Sequence, residues 1–242
     1  MRLLDTFNVL EEQGIIPNSL QAVIKQNLKF NPRPYQVKAI ARFHYYFNDY
    51  QNRPTPSHLF FHMATGSGKT LVMAANILQL YQKGYRKFVF VTNLKNTIDK
   101  TKENFLNNTA ENQKYLFADL ININGQSIGI NAVDNFSYIS EADINIHFTS
   151  IQALQLKMQN PTEDGLSEDD FENNDIGIIW DESHHGNVQT QAAQAELGNF
   201  DNWESTVKQL LDLNPRNILI EFSATMDFEN SDIEKKYRNK RI

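Results

Sequence analysis

Eight residues, Met63-Ala64-Thr65-Gly66-Ser67-Gly68-Lys69-Thr70, bring together what is needed to hold a phosphate. Two glycines let backbone N–H groups turn inward around an anion. An apolar run, Leu59-Phe60-Phe61, comes before them, and a helical pattern, Leu71-Val72-Met73-Ala74-Ala75-Asn76-Ile77-Leu78, comes after. Strand, glycine-rich turn and helix in that order aim the positive end of the helix at the same anion. In such a loop Thr65, Gly66, Ser67 and Gly68 cradle phosphates, Lys69 reaches the β- and γ-phosphates, and the Thr70 hydroxyl holds Mg²⁺. The generic pattern begins with Gly where this chain has Met63.

A second group supplies what Lys69 and Thr70 lack. Asp181-Glu182 ends the apolar run Ile176-Gly177-Ile178-Ile179-Trp180. Mg²⁺ takes hard oxygen ligands, and a carboxylate at a strand tip can hold it through water. Removal of a γ-phosphate also needs a group that orients the attacking water, and an adjacent second carboxylate suits that task. His184 and His185 follow directly. Neighbouring histidines point apart and no cysteine accompanies them, so a hydrogen-bonding link to the nucleotide site is expected here rather than a metal.

Elements that alternate must position these groups. Residues 3–30 carry two short helical patterns, with Asn18 or Ser19 as the expected cap of the second. Asn31-Pro32-Arg33-Pro34 forces an extended stretch before a helix expected over 35–50. Lys87-Phe88-Val89-Phe90-Val91-Thr92 reads as a buried strand, and Asn93 as the cap of a helix over 95–107. A short strand is expected over 119–123 with a turn at Asn124-Gly125-Gln126. Residues 143–149 alternate like a strand, and Ser150 caps a helix running to about Pro161. A helix from Asp201 or Asn202 through Leu213 and a strand over 217–222 complete the pattern. This is an α/β chain with a doubly wound, mostly parallel sheet, whose ligands gather at the carboxyl ends of the strands.

Composition sets outer bounds. The 242 residues suit one large α/β domain, and no apolar run approaches a membrane span. The absence of cysteine excludes disulfides and zinc–thiolate sites, and the N-terminus lacks a signal-peptide core. A cytoplasmic protein with no membrane partner is expected. The net charge of −6 is concentrated between residues 161 and 175, where seven acids occur without a Lys or Arg; the remainder carries about +1. That acidic stretch is expected to be a solvated loop. The basic final segment, 235–242, reads like a chain cut in mid-course.

Ala64-Thr65-Gly66-Ser67-Gly68-Lys69-Thr70, Asp181-Glu182-Ser183-His184 and Ser223-Ala224-Thr225 resemble motifs I, II and III of superfamily 2 helicases and translocases. Arg33-Pro34-Tyr35-Gln36 is similar to that family's adenine-reading element. Val89-Phe90-Val91-Thr92-Asn93 resembles motif Ia, and Phe148-Thr149-Ser150-Ile151-Gln152 a further DNA-contacting motif. Met63 and His185 make the chain resemble restriction motors most, the type III Res subunit first and type I motor subunits next. Ser183 stands where Ala is common in this box.

The resemblance implies a RecA-like P-loop domain over 33–230, a helical extension over 1–32, and at 231–242 the start of a connection to a second RecA-like domain. It implies ATP and Mg²⁺ as cofactors. Gln36 would read adenine; Lys69, Asp181, Glu182 and His184 would be catalytic, with Thr70 and Asp181 at the metal. Ser223 and Thr225 would couple hydrolysis to movement, while Asn93, Lys95, Thr149 and Ser150 would face nucleic acid. DNA and a modification methyltransferase subunit are the implied partners. The arginine finger and any nuclease would lie outside these residues, leaving this segment weakly active or inactive alone. A DNA-repair or RNA helicase, or a nucleotide-dependent binding module that does not hydrolyse, remain alternatives. Intact Glu182 speaks against the last.

Overall fold

Side-chain alternation in the strands builds two apolar layers. The computed structural model describes residues 2–93, 95–106, 109, 111–162, 164–183 and 203–242. On β2 (Lys87–Thr92), Phe88 and Phe90 face one layer while Val89 and Val91 face the other. On β7 (Ile176–Asp181), Ile179 faces the first layer, and Ile178 and Trp180 the second. Both strands are buried along their full length except at Lys87, as expected of a parallel sheet covered on two faces.

Six parallel strands form the main sheet in the order β1-β8-β7-β2-β6-β5. The others are β1 (Ser57–His62), β5 (Ile130–Ala132), β6 (Ile144–Ser150) and β8 (Ile218–Ser223). The first layer holds α3 (Pro34–Asn48) and α4 (Lys69–Gln82), with α5 (Lys95–Leu106) beside them. Over α3 lies α1 (Leu3–Glu12), where Phe7 meets Tyr45, Tyr46 and Tyr50 edge-on or tilted. Arg42 on α3 binds the Glu11 carboxylate through two nitrogens, each at 2.7 Å. The second layer holds α6 (Ile151–Gln159), α7 (Glu168–Asn173) and α8 (203–212).

Several elements differ from the sequence expectation. The acidic stretch is not a loop throughout. Ser167 and Asp170 form a capping box that starts α7, and Phe171 anchors the helix in the core. Neither Asn18 nor Ser19 caps α2 (Ala22–Asn27); Gln21 stands at that position without a side-chain bond to the helix backbone. The strand expected over 119–123 is β3 (Ile121–Ile123), paired antiparallel with β4 (Gln126–Ile128) outside the main sheet. Asn124 and Gly125, both at positive φ, make the tight turn between them.

Residues 231–242 fold back onto the sheet. Helix α9 (Ser231–Tyr237) covers Phe60, with ring centroids of Phe60 and Tyr237 4.6 Å apart. Past it, Phe60 N–H donates to Lys240 C=O at 2.8 Å and Ile242 N–H to Phe60 C=O at 3.2 Å, extending the edge at β1. Beneath α9, Glu221 is wholly buried on β8, with one oxygen 2.5 Å from His58 Nε2 and the other accepting from Tyr237 Oη at 2.9 Å. Burial raises the Glu221 pKa, but His58, Tyr237 and Lys240 outweigh it and hold the group below the usual carboxylate range.

Candidate functional site

Register brings the chemical groups to one edge. In the parallel ladders His62 lies opposite Ser223, Asp181 opposite Phe222, and Thr92 opposite both Asp181 and Ser150. The residues following β1, β7 and β8 therefore emerge side by side at the strands' carboxyl ends.

The loop after β1 has the shape its glycines permit. Gly66 and Gly68 lie at φ +74° and +77°, and Gly68 ends the loop as the left-handed residue before α4. A Cβ at Gly68 would come within 2.4 Å of Gln36 Nε2, so a side chain there displaces the Gln36 amide from the loop. Around Gly66 none of the described residues lies within 4 Å of such an atom, which leaves that part of the loop open to an anion. Thr65, Gly66 and Gly68 are exposed, while Ser67 and Thr70 are partly covered. Ser67 Oγ is buried, with no hydrogen-bond partner among the described residues.

Gln36 braces this loop. As third residue of α3 it accepts from Arg33 N–H at 2.8 Å, and its Nε2 donates to Ser67 C=O at 2.9 Å and Gly68 C=O at 3.3 Å. Both ends of the amide are engaged within the chain, so recognition of adenine by Gln36 requires these bonds to exchange. Tyr35 was not singled out by sequence, yet its hydroxyl also donates to Ser67 C=O, at 2.9 Å. A cavity of about 390 Å³ adjoins the loop, lined in part by Tyr35, Arg42, Met63, Ser67 and Ile242.

The acidic pair meets the loop lysine. Lys69 Nζ donates to Glu182 Oε1 at 2.7 Å, and Lys69 is buried. Asp181 is also buried; burial first, and the Glu182 charge second, push its pKa up to about 6 against the pull of Lys69. Glu182 lies at φ +54°, strained for an L residue, and its carbonyl accepts from Asn93 Nδ2 at 2.7 Å. Ser183 is buried, and its N–H donates to Phe222 C=O at 3.3 Å.

The remaining expected residues are placed as follows. Ser223 is buried and its Oγ accepts from Thr225 N–H at 3.3 Å, while its carbonyl accepts from Met63 N–H at 2.9 Å. Motif III and the phosphate loop are thus joined through backbone; Thr225 itself is exposed. Asn93 does not cap α5 but turns toward Glu182. Thr149 and Ser150 are buried: Ser150 Oγ caps α6, accepting from Ala153 N–H at 3.2 Å, and Thr149 Oγ1 donates to Ser150 C=O. Lys95 is the first residue of α5. His184, with its neighbour His185, lies outside the described residues.

The donor set suits Mg²⁺ and a nucleotide triphosphate. Asp181 and Thr70 offer oxygen ligands, and the raised Asp181 pKa reports a charge disfavoured by burial first and by Glu182 second, which a cation would stabilise. Ser67 Oγ and the open loop leave donors for an anion. Glycine loop after β1, acidic pair after β7 and parallel sheet together define a RecA-like P-loop domain.

Comparison with known proteins narrows this class. The family model described as type III restriction enzyme, res subunit, matches residues 29–228. The chain is 36% identical over 251 aligned residues to the probable type III restriction-modification enzyme HindVIP Res subunit of Haemophilus influenzae, covering 93% of this chain and 48% of that protein. It therefore spans about half the length of the curated relative it matches. The UvsW helicase of bacteriophage T4 superposes with a TM-score of 0.50 at 13% identity, covering 99% of this chain and 76% of that one. The yeast DEAD-box splicing factor Prp28 gives 0.51 at 18% identity, over 96% and 49%. At such identities these likenesses speak for the fold alone. This chain belongs to the type III restriction enzyme Res subunit family.

Proposed function

We propose that this domain is the ATP-binding half of a DNA translocase motor in a type III restriction-modification system. The observation that carries this reading is the convergence of Lys69, Asp181 and Glu182 beside an open glycine loop, Lys69 already within 2.7 Å of the hydrolytic candidate. Arrival of a triphosphate gives Lys69 a stronger anionic partner than Glu182 and frees that carboxylate to orient water. Thr70 and Asp181 would hold Mg²⁺, which when bound neutralises charge on the β- and γ-phosphate oxygens. The backbone from Thr65 to Gly68 cradles the phosphates, and the cavity beside Tyr35 and Ser67 has room for a base. Ser223 and Thr225 link this site to movement through the bond between Ser223 C=O and Met63 N–H. Catalysis by His184 and nucleic-acid contact by Lys95 rest on the family pattern.

A second RecA-like domain outside these residues supplies the stabilising arginine, DNA is the track, a methyltransferase subunit is the partner, and the cytoplasm is the compartment. No helix among the described residues is long and apolar enough to cross a membrane. The test uses the full-length protein, scoring binding of a fluorescent ATP analogue and DNA-dependent phosphate release. Lys69→Ala is expected to abolish both, and Glu182→Gln to retain binding while cutting turnover by about 100-fold or more. Unaltered turnover in Glu182→Gln would count against a motor and for a nucleotide-operated switch.

A further inference from the structure

Asn93 holds the residue on which the proposed hydrolysis depends. β2 and β7 run parallel with Thr92 opposite Asp181, so Asn93 and Glu182 leave the sheet side by side. There a side chain continues what the backbone ladder began, Asn93 Nδ2 donating to Glu182 C=O at 2.7 Å. Glu182 sits at φ +54°, where Cβ crowds the backbone, and an external hold keeps it there. Asn93 is buried, yet its Oδ1 has no hydrogen-bond partner among the described residues. An apolar side chain would fill the same space without leaving a buried acceptor unpaired. Among the described residues the bond to Glu182 therefore accounts for an amide at this position. Beyond Glu182 the ion pair to Lys69 completes a continuous run from the β2–α5 turn to the phosphate loop.

Resting on the ATPase reading above, we propose that Asn93 is a positioning residue for Glu182, holding its peptide so that the carboxylate is aimed to orient water. Without this bond the Glu182 peptide is free to turn and the carboxylate loses its aim. Asn93 bonds to Glu182 and not to the phosphate loop, so ATP affinity is expected to be independent of it.

The test compares full-length wild type with Asn93→Asp, isosteric but without the donor, and Asn93→Leu, which keeps the volume. Readouts are affinity for a fluorescent ATP analogue, ATP turnover in the presence of duplex DNA, and the thermal midpoint. Both variants should bind the analogue within about three-fold of wild type while kcat falls about ten-fold or more and KM changes little. Wild-type kcat in both variants overturns the inference. So does a loss of ATP affinity in step with kcat and thermal midpoint, which marks a purely structural residue. If the Leu variant fails to fold, the isosteric Asp variant decides. A wild-type protein that neither binds nor hydrolyses ATP defeats the ATPase reading itself, and this inference with it, before any variant is measured.

Discussion

Asp181 shows how a single carboxyl can oppose folding and serve a site. Its pKa, pushed up to about 6 by burial and by Glu182, means that the folded chain binds a proton more tightly than the unfolded chain does. Stability therefore falls as pH rises from about 4 to about 6, and above that window the lone charge costs on the order of 2–3 kcal/mol. Asp181→Asn is expected to stabilise the nucleotide-free protein by about 1–2 kcal/mol at pH 7.5 and to change little at pH 4.5. Urea unfolding at the two pH values decides this, and an equal effect at both would refute it. The same group must be ionised to hold Mg²⁺, so Mg-ATP affinity should weaken as pH drops through about 6. Asp181 itself is legible from an acid at the end of an apolar run. Its raised pKa is not, because that depends on which charges the fold packs around it.

At the scale of elements, α9 is held by a buried acid that no motif announces. Glu221 binds His58 on β1 and Tyr237 on α9, so one carboxylate fastens the helix to two strands. Lys236 of the same helix pairs with Glu204 of α8. Glu221 is held below the usual carboxylate range, so its contribution is complete above the unfolded pKa and is lost as pH falls through the folded one. Glu221→Gln is expected to cost about 2–4 kcal/mol at pH 7, a difference that narrows below about pH 4.5. Chemical denaturation across that range measures it, and a cost independent of pH would contradict the assignment. Buried central strands such as β2 and β7 are readable because apolar β-branched and aromatic runs have few other uses. Three-residue β5 and acid-rich α7 are not, since β5 is too short for periodicity and only Phe171 ties α7 to the core.

At the scale of the whole molecule, the chain spans about half of its curated relative and presents one wall of a proposed two-domain cleft. The 242 residues alone are expected to bind ATP weakly and to turn it over slowly, without stimulation by DNA, for want of the arginine that stabilises the transferring phosphoryl group. Phosphate release by the isolated chain, stimulated by DNA and abolished by Lys69→Ala, would contradict this. Sequence by itself determined the α/β class, the phosphate loop and the acidic pair, because glycine at forced turns, charge at a strand tip and apolar periodicity are local demands. Tertiary structure alone decided that Gln36 and Tyr35 brace Ser67, that Asn93 holds Glu182, and that residues 231–242 close on β1. Those pairings join residues far apart in the chain, and their register is set by the summed packing of the sheet rather than by any local pattern.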